Sequence, residues 1–214
     1  MIAVILPTLD TPTALRRVLE QIPDGYTAYV VDDGSRVPIQ APVRVIRHDR
    51  NRGYGAAQKS GYAAALADGA QRIVMLHGDG QYDVADTLAL ATALEEADGA
   101  LGSRFLANPG VIPTWRRIGN QALTGLANLR FGTTFSELHT GARAYRASTL
   151  RTLPLASFSD DFLFDQQMIC GMLRAKMRLA ERPVRARYDD TTRSISPSRS
   201  ITYALGCVWE IFLG

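Results

Sequence analysis

Three observations predict an α/β fold, a doubly wound and mainly parallel sheet flanked by helices. Short β-branched apolar runs alternate with helix-period segments, the pattern of consecutive βα units. Three of those runs end abruptly in Pro7-Thr8-Leu9-Asp10, Asp32-Asp33-Gly34 and His77-Gly78-Asp79-Gly80-Gln81. The chain has 214 residues, 46% apolar and 21% charged, enough for one domain with a full core.

Each element has a local reason. Ile2–Leu6 is a β-branched strand. Thr11 is expected to cap a helix with Pro12 in its first turn, and Leu15, Val18, Leu19 and Ile22 share one face. Tyr29–Val31, Val43–Ile46 and Ile73–Leu76 are further strands. Ala56–Ala67 and Val84–Ala97 are predicted helices, and Ala100–Leu101 is a short strand before Gly102-Ser103-Arg104. In the second half Trp115–Leu129 is expected to be helical with Ile118, Leu123 and Leu126 facing inward. Ala142–Tyr145 and Leu179–Tyr188 are predicted extended, and Phe164–Leu173 and Ile201–Phe212 helical. Asp189–Ser200, rich in Thr, Ser and Arg, is predicted to be a mobile loop of the kind that closes over substrates. We read one domain, with residues 1–105 as one half and 106–214 as the other.

Composition narrows the function. A formal charge of +3 suits an anionic substrate or an anionic membrane surface and is too small to argue for nucleic acid. Of the basic residues only Lys59 and Lys176 are lysines; arginine forks suit phosphate, although a genome bias gives the same composition. Cys170 and Cys207 stand far apart without a CxxC, which points to a reducing compartment. No signal peptide and no membrane-spanning stretch is read, so the catalytic part is expected to be cytoplasmic. The apolar C-terminal segment is expected either to lie on a membrane as a peripheral contact, or to close the core or a homo-oligomer interface.

In a doubly wound sheet the three acidic strand ends can converge on one crevice. A carboxylate there accepts hydrogen bonds from sugar hydroxyls or base N–H groups. A hard cation such as Mg²⁺ needs few protein oxygens when a substrate phosphate supplies the rest. The loop Asn51-Arg52-Gly53-Tyr54-Gly55, leading to Lys59 and Gly61, has neither the NTPase phosphate-loop spacing nor GxGxxG, because Gln58 takes the third glycine place. Lys59 is either a partner for a diphosphate or a solvated helix residue.

The motifs Leu6-Pro7-Thr8-Leu9-Asp10, Val30-Val31-Asp32-Asp33-Gly34-Ser35, Asn51-Arg52-Gly53-Tyr54-Gly55 and Gly78-Asp79-Gly80-Gln81-Tyr82 occur in order. Gly102-Ser103-Arg104-Phe105, Thr140-Gly141-Ala142-Arg143-Ala144-Tyr145, Glu181-Arg182-Pro183-Val184 and Arg193-Ser194-Ile195-Ser196 follow. Each is weak alone; the ordered set covers nearly the whole chain. It resembles glycosyltransferase family 2, in particular the dolichol- and polyprenyl-phosphate sugar transferases. The resemblance implies a GT-A fold with a Rossmann-like sheet. It implies a nucleoside-diphosphate sugar donor (UDP or GDP), a divalent cation (Mg²⁺ or Mn²⁺) and a polyprenyl phosphate as an acceptor.

The resemblance implies donor binding by Pro7, Thr8, Leu9, Asp10, Asp33, Gly53, Lys59, His77, Gly78 and Asp79. Asp79 and Gln81 are the expected metal ligands, Arg104 and Arg193 the expected phosphate clamps, and Arg116 or Arg117 the receiver of an acceptor phosphate. Asp165 is the expected base for a hydroxyl acceptor, with Asp161 as the runner-up or a helix cap. Two departures stand out. His77 occupies the place where the family has the first Asp of Asp-x-Asp, and it either ligates the metal, bonds the nucleotide or packs. Asp10-Thr11 replaces the frequent Asn-Glu. Metal-dependent transfer with inversion is the expected reaction; a non-catalytic nucleotide-sugar binder is the alternative. A nucleotidyltransferase ranks low, because no glycine-rich basic loop follows the first strand.

Overall fold

The computed structural model describes residues 1–108, 112–187 and 197–214, with side chains in the last stretch from residue 201 onward. Arg193 and most of the 189–200 segment lie outside the described residues. The element order is β1 (Ile2–Thr8), α1 (Pro12–Leu19), β2 (Tyr26–Asp32), β3 (Arg44–Arg47), α2 (Tyr54–Ala67) and β4 (Arg72–Met75). Then come α3 (Val84–Leu88), α4 (Leu90–Ala93), β5 (Gly99–Ser103), α5 (Arg104–Ala107) and α6 (Thr114–Phe131). The last are β6 (Arg143–Arg146), α7 (Ala147–Thr152), a 3₁₀ turn at Leu155–Ser157, α8 (Leu163–Arg174), β7 (Leu179–Pro183) and α9 (Pro197–Phe212).

The seven strands form one sheet in the order β3-β2-β1-β4-β6-β5-β7. Every pairing is parallel except those of β6, which runs antiparallel to β4 on one side and to β5 on the other. Alternation of side chains along the strands builds two cores. Val4, Leu6, Val30 and Val74 meet Leu15 and Val18 of α1 and Leu88 and Leu90 of α3 and α4 on one face. Ala3, Ile5 and Val31 meet Ala57, Tyr62 and Ala65 of α2 on the other. A third cluster, with Ala127 of α6, Ile169 and Cys170 of α8 and Ile211 of α9, closes the C-terminal helices over Leu101.

Several expectations need correction. The predicted helix over 84–97 divides into α3 and α4 at Ala89. Thr87 and Thr92 turn their hydroxyls back onto the Asp83 and Ala89 carbonyls, which competes with a continuous ladder. Thr11 makes no side-chain cap; its Oγ1 pairs with Thr8 Oγ1 at 2.7 Å. α6 is rotated relative to the expected face. It buries the small residues Thr124 and Ala127, while Ile118 is 61% and Leu126 36% exposed. Hydrophobic periodicity located the stripe but not the side that meets the protein.

Candidate functional site

The C-terminal ends of β1, β2 and β4 open on a cleft of about 830 Å³, a volume typical of small-molecule sites. Pro7, Thr8, Leu9 and Thr11 form one wall, and His77, Gly78 and Asp79 the next. Asp33, Asn51, Arg52, Gly53 and Tyr54 close the far side, and Asp160, Asp161 and Phe162 the rim.

The wall is built by carboxylates acting on backbone. Asp32 is fully buried and accepts from Ser35 N at 2.8 Å, Ile39 N at 3.1 Å and the Arg47 guanidinium. Burial raises its pKa, but those bonds outweigh burial and hold the carboxyl below its ordinary value. Asp33 accepts from Arg52 N and Gly53 N, both at 2.9 Å, and contacts His48 Nδ1 at 2.6 Å. This fixes the loop that precedes α2. Gly53 has φ 108°, and a Cβ there would lie 2.3 Å from the Asp160 carbonyl oxygen, so only glycine lets the α8 approach seat against this loop. Asp10, at φ 53°, stands beside the lining. It bonds the β2 turn through Arg36 N at 2.8 Å and Ser35 Oγ at 2.9 Å.

Asp79 lines the cleft, and its Oδ1 accepts from Gln81 N at 2.9 Å in an Asx turn that fixes the carboxylate. Gln81 lies outside the lining; its carbonyl accepts from Arg187 N at 2.8 Å. His77 is held between rings, with Tyr54 at 5.4 Å and Tyr82 at 5.5 Å between centroids. Its Nε2 is 3.0 Å from Tyr54 Oη. Burial and the Asp165 charge push the Tyr54 phenol well above its usual pKa, so it keeps its proton. Whichever group donates, Nε2 is taken. A Cβ on Gly141 would fall 2.2 Å from that nitrogen, which explains the glycine in the β6 motif.

Other expected residues stand elsewhere. Lys59 Nζ bonds the Phe158 carbonyl and Asp160 Oδ1 (2.9 Å), so it ties α2 to the α8 approach and does not line the cleft. The cation on the lining, among the described residues, is Arg52, an exposed side chain in the loop the sequence had singled out. Arg104 is buried against Glu137, with backbone N at 2.7 Å and Nε at 2.9 Å from its carboxylate, and its guanidinium also reaches the His139 carbonyl at 2.8 Å. Asp165 lies behind the wall, its Oδ1 accepting from Gln58 at 2.9 Å and its Oδ2 3.5 Å from the guanidinium of Arg143, a side chain only 1% exposed. Asp161, the runner-up, is on the rim and accepts from Phe162 N at 2.9 Å. Arg116 and Arg117 stand in the first turn of α6, Arg116 stacked 4.9 Å over Trp115.

Glu137, Tyr54 and His139 were not assigned from sequence. Their partners lie far along the chain, and no local spacing reports them. His139 Nδ1 meets Tyr203 Oη of α9 at 2.9 Å, and its Nε2 is buried with no partner among the described residues. Burial and the charges of Arg143 and Arg104 lower its pKa to about 3. The unfolded chain then takes up a proton below about pH 6.5 that the fold refuses until about pH 3. Stability is therefore retained above pH 6.5 and is expected to fall on acidification through that window, by at most about 1.4 kcal/mol per pH unit from this group. Urea melts between pH 7 and pH 4 measure it; an unchanged slope in His139→Gln refutes it.

Among the described residues no three His, Cys, Asp or Glu side chains form a ready metal cage. The cleft does offer the Asp79 carboxylate, a hard oxygen donor of the kind that holds Mg²⁺ jointly with substrate phosphates. The donor set fits a cation bound with its substrate rather than alone.

A mainly parallel sheet whose strand ends carry an acidic cleft of this size is the ligand-binding crevice of an open α/β fold. The sequence pattern of glycosyl transferase family 2 matches residues 4–153, and the chain belongs to that family. It is a glycosyltransferase with a GT-A fold. It is 27% identical over 197 residues to an undecaprenyl-phosphate mannosyltransferase of Micrococcus luteus, covering 84% of this chain and 81% of that one. It is 30% identical over 161 residues to a dolichyl-phosphate hexose transferase of Haloferax volcanii, covering 71% and 69%. Glucosyl-3-phosphoglycerate synthase from Mycobacterium tuberculosis, solved with Mn²⁺, UDP and phosphoglyceric acid, superposes with TM-score 0.74 at 15% identity, over 100% of this chain and 79% of that one.

Proposed function

We propose that this glycosyltransferase moves a hexose, with inversion, from a UDP or GDP sugar to a polyprenyl phosphate, using Mg²⁺ or Mn²⁺. The observation that carries this reading is the Asp79 carboxylate on the cleft wall, held by its Asx turn beside the nucleotide-sized cavity. The names of the two relatives supply the acceptor class. Two buried, unpaired cysteines suit a reducing, cytoplasmic setting.

The cation, when bound, would neutralise charge on the departing diphosphate. Asp79, with Gln81 next to it, would hold that cation. Pro7, Thr8, Leu9 and Asp33 shape the base and ribose pocket, with Asp10 bracing it. Arg52 takes the diphosphate role expected of Lys59. His77, occupied by Tyr54, packs and orients the wall; it is not assigned to the metal. Arg104 organises the Glu137 node, and Arg193 keeps the clamp role its motif implies. Arg116 or Arg117 receives the acceptor phosphate. A lipid phosphate is already an anion, so no base is required; Asp165, paired with Arg143, then serves as a positioning residue. A second reading, a hydroxyl acceptor, is favoured by Asp161 on the rim, where a carboxylate can take the acceptor's proton.

Thermal shifts with UDP, GDP and their hexose conjugates, with and without Mn²⁺, test the donor side. A rise of several degrees is expected only with nucleotide and metal together, since binding stabilises by mass action. Transfer of labelled hexose to polyprenyl phosphate in detergent tests the acceptor. Nucleotide binding without turnover on any acceptor would favour the non-catalytic alternative.

A further inference from the structure

We propose that the outward faces of α6 and α9 dock this chain on a bilayer surface carrying anionic headgroups. On α6, Trp115, Ile118, Leu126 and Leu129 recur at helical spacing and are 57%, 61%, 36% and 81% exposed. On α9, Ile201, Leu205, Trp209 and Phe212 form a second stripe, 65%, 68%, 60% and 44% exposed. Ten of the thirteen exposed large apolar side chains among the described residues lie on α6, α9 and the residue after it. The opposite sides of the helices meet in one cluster through Ala127 and Ile211, so both stripes point away from a shared core. A soluble monomer rarely gathers so much apolar surface in one place without a partner for it.

Charge selects the partner. α6 carries Arg116, Arg117 and Arg130 and no acidic residue. The one acid in the described part of α9, Glu210, is buried and paired with Arg174 at 2.5 Å. Apart from that paired acid, the charges on the described parts of these two helices are all basic, with Arg130 exposed and Arg116 and Arg117 half-buried. A second copy meeting this face symmetrically would bring arginines together with no carboxylate to pair them. Anionic headgroups complement it. The Arg116–Trp115 stack puts a cation over an indole, an arrangement suited to the headgroup layer. No helix among the described residues is long and apolar enough to cross a membrane, so the helices would lie in the interface. As the source of the acceptor, the bilayer rests on the lipid-phosphate reading; as a docking surface, it is measurable without donor or acceptor.

The chain's two tryptophans are Trp115 and Trp209, one on each stripe, so its indole fluorescence reports this face alone. Titration with phosphatidylcholine–phosphatidylglycerol vesicles is expected to shift the emission to the blue and to sediment the protein, about ten-fold more tightly than phosphatidylcholine alone and more weakly at high salt. The Leu205→Gln, Trp209→Gln double variant should keep its circular dichroism and lose about ten-fold in vesicle affinity. Unshifted emission with the protein left in the supernatant overturns the proposal. So does a dimer by light scattering that the same variant dissolves. Either failure leaves transfer in detergent unaffected and separates this inference from the acceptor assignment.

Discussion

Replacing Asp79 by asparagine is expected to lower transfer about 10³-fold, a loss of about 4 kcal/mol of transition-state stabilisation, with the melting temperature essentially unchanged. The amide oxygen can still accept from Gln81 N, so the Asx turn that shapes the β4 end survives. What disappears is the negative charge toward the cation and the diphosphate. Steady-state kinetics should show kcat and kcat/KM falling together, because the charge counts most as the leaving group departs. The nucleotide-plus-metal thermal shift should shrink to that of nucleotide alone. Wild-type turnover in a folded Asp79→Asn protein would sink the metal assignment.

The largest stability effect is expected at Glu137, outside the cleft lining. Its carboxylate is fully buried and takes the Arg104 backbone N–H, the Arg104 guanidinium and Asn120 Nδ2 at 2.7 Å. Glu137→Ala leaves a buried guanidinium without its countercharge, at a cost of about 3–5 kcal/mol. For a chain of this size that corresponds to a melting temperature lower by about 6–20 °C. The double variant Arg104→Met, Glu137→Met removes both charges and should recover much of the loss. Urea melts of the single and double variants check it; a single-variant loss below about 1 kcal/mol would show that water reaches Arg104.

The sheet and the strand-end cleft were legible because their signals are local. Short β-branched apolar runs and the turns at Pro7–Asp10, Asp33 and His77–Asp79 are written in consecutive residues, and the structure brings these strand ends around one cleft. What the sequence hid was pairing over distance. Lys59 was an obvious cation, but it bonds Asp160, about a hundred residues away, and leaves the lining to Arg52. Asp165 has the right residue type for a base, yet Arg143 and Gln58 meet it only through tertiary packing. On α6 the apolar stripe was visible, but its direction depends on the small residues Thr124 and Ala127, which let the helix approach its neighbours.

The reversed strand β6 has a consequence for how the molecule is made. It lies between β4 and β5, so within the sheet residues 72–75 and 99–103 are joined through residues 143–146. A nascent chain that has emerged only through β5 has strands on both sides of a gap and an open β4 edge. Such an edge is a template for association with other chains until the missing strand arrives. Cleft assembly on the ribosome is therefore expected to wait for the middle of the second half, with the two halves folding together rather than in succession.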